Sequence, residues 1–153
     1  MSDLYDTDYA RWTDQQAALL RRVAAGERVN DLVDWDNIIE EIESLGRSQE
    51  QELANRVSTI LDHLMRLQAS PAADPRRGWR STIVRTRGEV DRLLRGNRTL
   101  RESLATVIAA ELPTARGIAA VALEEHGETP TVPLDRLNYT SEQVLGPWFP
   151  ENH

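Results

Sequence analysis

The chain has 153 residues, a formal net charge of −7, 40% hydrophobic and 28% charged residues, and no cysteine. That length fits a single domain with its own core, and the composition is that of an ordinary soluble protein, not a disordered or low-complexity chain. Without cysteine, disulfide scaffolds, thiol catalysis, iron–sulfur clusters and cysteine-ligated zinc are all excluded.

The opening residues, Met1-Ser2-Asp3-Leu4-Tyr5-Asp6, are acidic where a secretory signal is basic. No run approaches the roughly 20 apolar residues that cross a bilayer. A cytoplasmic protein with no membrane partner is therefore expected. All 18 basic side chains are arginine, and they are unevenly placed: residues 1–50 carry −7, residues 71–101 carry +6 and residues 102–153 carry −6. The acidic total disfavours non-specific nucleic-acid binding. A basic segment between two acidic ones is most economically explained by packing against them.

Apolar residues recur at spacings of three and four, the pattern of amphipathic helices, with no alternation long enough for a strand. A helix is expected over 8–25, with Tyr9, Trp12, Gln16, Leu19, Leu20 and Val23 on one stripe and Gly26 as its stop. Asp34 is placed to cap the next helix, whose stripe is Trp35, Ile38, Ile39, Ile42 and Leu45, then Leu53, Val57, Ile60, Leu61, Leu64 and Leu67. Gly46, followed by Ser48 and Gln51 at capping-box spacing, favours a break into helices over 35–46 and 48–69. The stripe stays in phase across the junction, so one kinked helix is the alternative.

Ser70-Pro71-Ala72-Ala73-Asp74-Pro75 is a loop, because its prolines exclude a continuing helix. The next helix is expected over 75–95, burying Trp79, Ile83, Val90, Leu93 and Leu94, and ending at Gly96-Asn97. Thr99 and Glu102 form a capping-box pair opening a helix over 99–126. Pro113 should kink or split that helix near Glu111-Leu112, at about 3 kcal/mol if it stayed straight. A proline-bearing loop over 128–140 precedes a short turn over 140–145 and a Pro147-Trp148-Phe149-Pro150 tail packed on the body. Stripes that cannot be buried alone must face one another, so the expected fold is all-α: a four- to five-helix bundle with a short C-terminal helical turn, forming a single domain over 1–153.

Several stretches together resemble the domain-of-unknown-function twenty-nine family. They are Leu4-Tyr5, Trp12, Asp36-Asn37-Ile38-Ile39-Glu40-Glu41-Ile42-Glu43-Ser44-Leu45-Gly46-Arg47-Ser48, Leu61-Asp62-His63-Leu64, Trp79-Arg80-Ser81-Thr82-Ile83, Glu124-Glu125, and Tyr139-Thr140-Ser141-Glu142-Gln143-Val144-Leu145. The Glu-Glu-Ile-Glu-Ser-Leu-Gly core is the most specific part. The resemblance implies a helical bacterial protein and supplies no mechanism. Two positions depart from the family pattern: Pro113, in a helix usually left intact, and Arg66-Leu67, in place of a basic–tryptophan pair.

Among constellations that could carry chemistry, the acidic cluster Asp34, Asp36, Glu40, Glu41 and Glu43 comes first. Glu40 and Glu43 have the Glu-x-x-Glu spacing that could hold magnesium or manganese, but the best second acidic pair, Glu124 and Glu125, is unconvincing, and no Glu-x-x-His pair is present. A solvated acidic first turn is the plainer account. His63, beside the Ile60–Leu64–Leu67 stripe, reads as a core-edge residue or, alternatively, as a general base. On one straight helix it would lie about 30 Å from Glu43, so a shared site needs the chain to fold back at Gly46 or a second copy to supply the glutamates. Arg80 and Arg87 flank an apolar stripe, placed to pair with Glu40 and Glu43 or, with Arg76 and Arg77, to bind an anion. Trp12, Trp35 and Trp79 occupy stripe positions and are expected in the core, whereas Trp148 could anchor a partner. No Gly-rich phosphate loop, nucleophile elbow or His-Glu-x-x-His motif is present.

The expected function is a non-enzymatic module that binds another protein or itself, needs no cofactor, and binds through Glu40, Glu43, Arg80, Arg87 and Trp148. The alternative is a divalent-metal hydrolase acting on a phosphate-containing substrate. In it Glu40 and Glu43 would hold the ion, His63 would assist proton transfer, and Arg80 and Arg87 would stabilise phosphate charge.

Overall fold

In the computed structural model, which describes residues 4–151, seven α-helices follow one another with no strand among the described residues. They are α1 (Leu4–Thr7), α2 (Tyr9–Ala24), α3 (Trp35–Ala69), α4 (Arg76–Leu94), α5 (Arg98–Glu102), α6 (Leu104–Glu125) and α7 (Ser141–Leu145), with short 3-10 turns at Asn30–Leu32 and Leu134–Arg136. Met1-Ser2-Asp3, half of the stretch read against a secretory signal, lies outside the described residues. The helices form two compact units that divide inside α3, between Ser48 and Gln49.

In the N-terminal unit, Asp8 ends α1 and starts α2 by accepting the Arg11 backbone N–H at 3.1 Å. Gly26, at φ +89°, turns the chain out of α2, a backbone region where only glycine is unstrained. Trp12 and Gln16 are the buried residues of α2, and both are tied to the start of α3. The Trp12 indole N–H donates to the Asp34 carboxylate at 3.0 Å, and the Asp34 backbone N–H donates to Gln16 Oε1 at 2.8 Å. Hydrogen bonds from Asn37 and Trp12 hold the Asp34 carboxyl below the usual carboxylate range.

The expected break at Gly46 does not occur, and α3 is one helix of 35 residues. Glycine in a helix costs only about 1 kcal/mol relative to alanine. No proline follows Gly46, and the chain there never enters the left-handed backbone region that Gly26, Gly96 and Gly127 adopt at other helix ends.

The C-terminal unit holds the main core. The second half of α3 contributes Leu53, Val57, Ile60, Leu61, Leu64 and Met65, all fully buried. Against them lie Ile83, Val90 and Leu94 from α4, Leu100 from α5, Leu104, Ile108, Leu112, Ala115, Ala119 and Leu123 from α6, and Leu137, Tyr139 and Val144 from the C-terminal segment. Trp79 and Trp148 are half-buried at its edge. Thr140 and Gln143 form a reciprocal capping box at the start of α7.

The single helix expected over 99–126 is two. α5 ends at Ser103, whose hydroxyl donates to the Leu100 carbonyl at 2.6 Å, and α6 begins at Leu104. Pro113 lies inside α6 without dividing it. Pro113 and Ala109, whose carbonyl loses its helical donor, both lie on the exposed side of the helix, where the interruption is least costly. By length and mean hydropathy α6 could cross a bilayer, unlike the expectation that no stretch would come near. Its outer face is mostly alanine, threonine and glycine, with Ile118 and Val121 also exposed and charge only at its end in Glu124 and Glu125, while Leu104, Ile108, Leu112 and Leu123 join the core.

Candidate functional site

The residues singled out from sequence fall into separate local arrangements. In the N-terminal unit, Glu40 and Glu43 are both exposed and both engaged by Arg47, at 2.7 and 3.7 Å. Their arginine partner is thus a neighbour on the same helix. Among the described residues, no group of three or more histidine, aspartate or glutamate side chains has the geometry to hold a metal ion. Exposed pairs of this kind contribute about 0–1 kcal/mol. We expect Glu40→Gln to leave stability within that range, and a calorimetric titration of the purified protein with manganese to give no binding heat; micromolar binding abolished by Glu40→Gln would instead establish a metal site.

Glu41, between them, is the better-built carboxylate. The Tyr5 hydroxyl donates to one of its oxygens at 2.5 Å and the Tyr9 hydroxyl to the other at 2.6 Å. Tyr5, Tyr9 and Trp12 form an aromatic trio with ring centroids 4.8–5.8 Å apart. The two phenols hold the Glu41 carboxyl below its ordinary value. Reciprocally, the bond to Glu41 pushes Tyr5 up to about 12 and raises Tyr9. The clasp is therefore at full strength between the ordinary carboxylate value of 4.5 and the ordinary phenol value of 10. It weakens as pH falls through the lowered Glu41 value, or rises through the raised Tyr5 value. Because burial also raises Tyr139, an ultraviolet phenolate titration of the folded protein should show no step at pH 10. Glu41→Gln should bring Tyr5 and Tyr9 down towards that value; a full tyrosine ionising there in the unaltered protein would contradict the clasp.

The rest of this unit departs from expectation. Trp35, placed in the core by its spacing, is 41% exposed, and its indole N–H donates to the Asn30 carbonyl at 2.9 Å. Ile39, Ile42 and Leu45 are 52%, 64% and 67% exposed. The physical reason is the choice of face. α1 and α2 engage the side of α3 that carries Asp34 and Glu41, where Asn37, Ile38 and Ser44 are half-buried. The apolar side carrying Trp35, Ile39 and Ile42 is left open.

In the C-terminal unit, His63 is a core-edge residue. Its Nδ1 bonds the Thr59 carbonyl at 2.9 Å and lies 3.4 Å from the Asp62 carboxylate. Asp62, almost fully buried, accepts two hydrogen bonds at 2.9 Å from Arg66, a bidentate pair that fixes both side chains. His63 lies on the same unbroken α3 as Glu43, twenty positions further along the chain.

Arg87 is a buried rivet. Its Nε donates to the Val144 carbonyl at 2.7 Å, and a terminal nitrogen donates to the carbonyls of Gln143 at 2.8 Å and Trp148 at 2.6 Å. Burial lowers its pKa. The guanidinium carbons of Arg87 and Arg80 lie 4.8 and 4.9 Å from the Phe149 ring centroid, within cation–π range. Trp148 rests against Tyr139 with centroids 6.1 Å apart. These three predicted binding residues thus fasten the C-terminal tail to α4. The cleft beside Trp148, bordered by Thr140, Glu142, Gln143 and Pro147, is open and about 360 Å³ in volume.

Sequence reasoning missed Glu41, Tyr5 and Asp62 as organising residues. Tyr5 and Asp62 were signalled only by membership in the Leu4-Tyr5 and Leu-Asp-His-Leu stretches, and Glu41 only as one member of the acidic cluster, with nothing to set it above Glu40 and Glu43.

Fold and local geometry together define an all-helical protein whose conspicuous side chains are mostly committed to holding helices and tail in place. Residues 4–149 match the family model described as Domain of unknown function DUF29, and the chain belongs to that family. It is also similar to the crystal structure of an alpha-helical protein of unknown function from Rhodospirillum rubrum, with 25% identity, a TM-score of 0.65, and 96% of this chain and 92% of that chain covered. No curated protein matches.

Proposed function

We propose that this protein is a non-catalytic, protein-binding module that docks through the open side of α3 in its N-terminal unit. The observation that carries this reading is the row of Trp35, Ile39, Ile42 and Leu45, each more than two-fifths exposed over three turns of one helix. Scattered surface apolar residues are ordinary, but a contiguous row of large ones is a recurrent mark of an interaction site. The engagement of Glu40 and Glu43 by Arg47, and of Arg87 by three backbone carbonyls, supports the non-catalytic side of the reading.

A photo-crosslinking amino acid at Ile39, introduced in the native host, tests it. The expected result is a discrete adduct that disappears when Ile42→Asp is added. Adducts no stronger than those from the same probe at Arg77, an exposed position on α4, would overturn the reading.

A further inference from the structure

Resting on that reading of the α3 face, we infer that its occupant is the same face of a second copy, with two α3 helices crossing antiparallel between Trp35 and Gly46. Positions 35, 39, 42 and 46 are spaced four, three and four apart, so they form one line along the helix. Read forwards the line is Trp, Ile, Ile, Gly; an antiparallel partner presents it reversed. Each Trp35 then meets the Gly46 of the other copy, and each Ile39 meets an Ile42. The largest side chain thus lies opposite the residue with none, and equal side chains meet at the centre.

The space this needs is present. A Cβ built on Gly46 would have no atom within 4 Å, so the surface above it is free for an indole. Nothing in the backbone requires glycine there, because Gly46 is not among the left-handed glycines. Charge agrees with the register: Arg47 follows Gly46 and Asp36 follows Trp35, so the crossing brings Arg47 of each copy near Asp36 of the other. Arg47 also lies 3.7 Å from Glu43, balancing the carboxylate nearest the line.

The interior of the unit points the same way. Its only buried residues among those described are Trp12, Gln16 and Val33. Units this small usually require a disulfide, a metal or association to hold their fold, and the chain has no cysteine. Pairing would bury the isoleucines that the unit leaves outside. A two-helix contact of three turns falls below the roughly 1,200 Å² of a standard interface, so a reversible, micromolar dimer is expected. A basic amphipathic helix from another protein would also suit a face flanked by Asp36 and Glu40, and the experiment separates the two.

Sedimentation equilibrium of the full chain over a range of concentrations should show monomer and dimer. Ile42→Asp should leave monomer throughout. Gly46→Leu should raise the dissociation constant at least tenfold by filling the recess, while its better helix propensity keeps α3 intact. Arg47→Asp should weaken the dimer, and adding Asp36→Arg should restore it. A wild-type chain that stays monomeric, or a dimer indifferent to Gly46→Leu, overturns self-pairing. If the wild type is monomeric while the Ile39 probe captures a different protein, self-pairing fails and the docking reading stands; if the probe captures nothing either, both fail.

Discussion

Replacing Arg87 by alanine is expected to cost about 3–4 kcal/mol of stability, as the truncation of a buried, hydrogen-bonded charge does elsewhere. The guanidinium reaches from α4 to three carbonyls, two of them, Gln143 and Val144, in the last turn of α7. Carbonyls at a helix C-terminus have no helical donors of their own and carry the negative end of the helix dipole. Arg87 therefore acts as the C-terminal cap of a five-residue helix too short to persist alone, and it also grips the Phe149 ring. Alanine would leave three acceptors without their shared donor, the Val144 carbonyl in a buried position. Arg87→Lys keeps the charge but has no planar fork to serve three acceptors, so about half the loss is expected. Urea unfolding followed by circular dichroism measures both. A loss under about 1 kcal/mol for alanine would mean that α7 and the tail are held by apolar contacts, and that the guanidinium is incidental.

The charge of residue 87 was legible in the sequence, but its role was not. On a helical wheel it flanks the Ile83–Val90–Leu94 stripe, a position that suits an ion pair with a neighbouring helix as well as a buried cap. Backbone carbonyls leave no trace in side-chain identity, so periodicity cannot reveal an arginine that binds them. The same limit explains Gly46 and Trp35. Gly46 carries the residue type of a helix stop without the left-handed backbone of one, and backbone angle is a tertiary outcome. Trp35, Ile39 and Ile42 follow the same periodic rule as Leu53, Val57 and Leu61, yet the first set is open and the second buried. Periodicity reports which side of a helix is apolar, and the partner that covers it lies outside the pattern. What was readable was the helical class, the loop at 70–75, and the termini marked by Gly26, Gly96 and Gly127, where local chemistry alone decides.

Trp12→Ala should unfold the N-terminal unit while the C-terminal unit keeps its fold. Removing a buried tryptophan typically costs about 3–5 kcal/mol. Here it also breaks the indole bond to Asp34 and two ring contacts that hold Tyr5 and Tyr9 in place for Glu41. A segment of this length holds only a few kcal/mol at roughly 0.05–0.15 kcal/mol per residue, and among its described residues Gln16 and Val33 are all that remain buried. The C-terminal unit has its own core built on Leu53, Val57, Ile60, Leu61 and Leu64. In an amide correlation spectrum, resonances before residue 48 should collapse to unfolded positions while those of Val90 and Leu104 stay in place. Trp12→Phe, which retains a ring and loses only the N–H donor, should cost about 1–2 kcal/mol and keep the unit folded. Loss of all resonances together would show one cooperative structure across the Ser48–Gln49 boundary and refute the independence of the two units. If the N-terminal resonances do collapse selectively, the same variant must lose the dimer, because the α3 face can pair in register only while its first turns are helical.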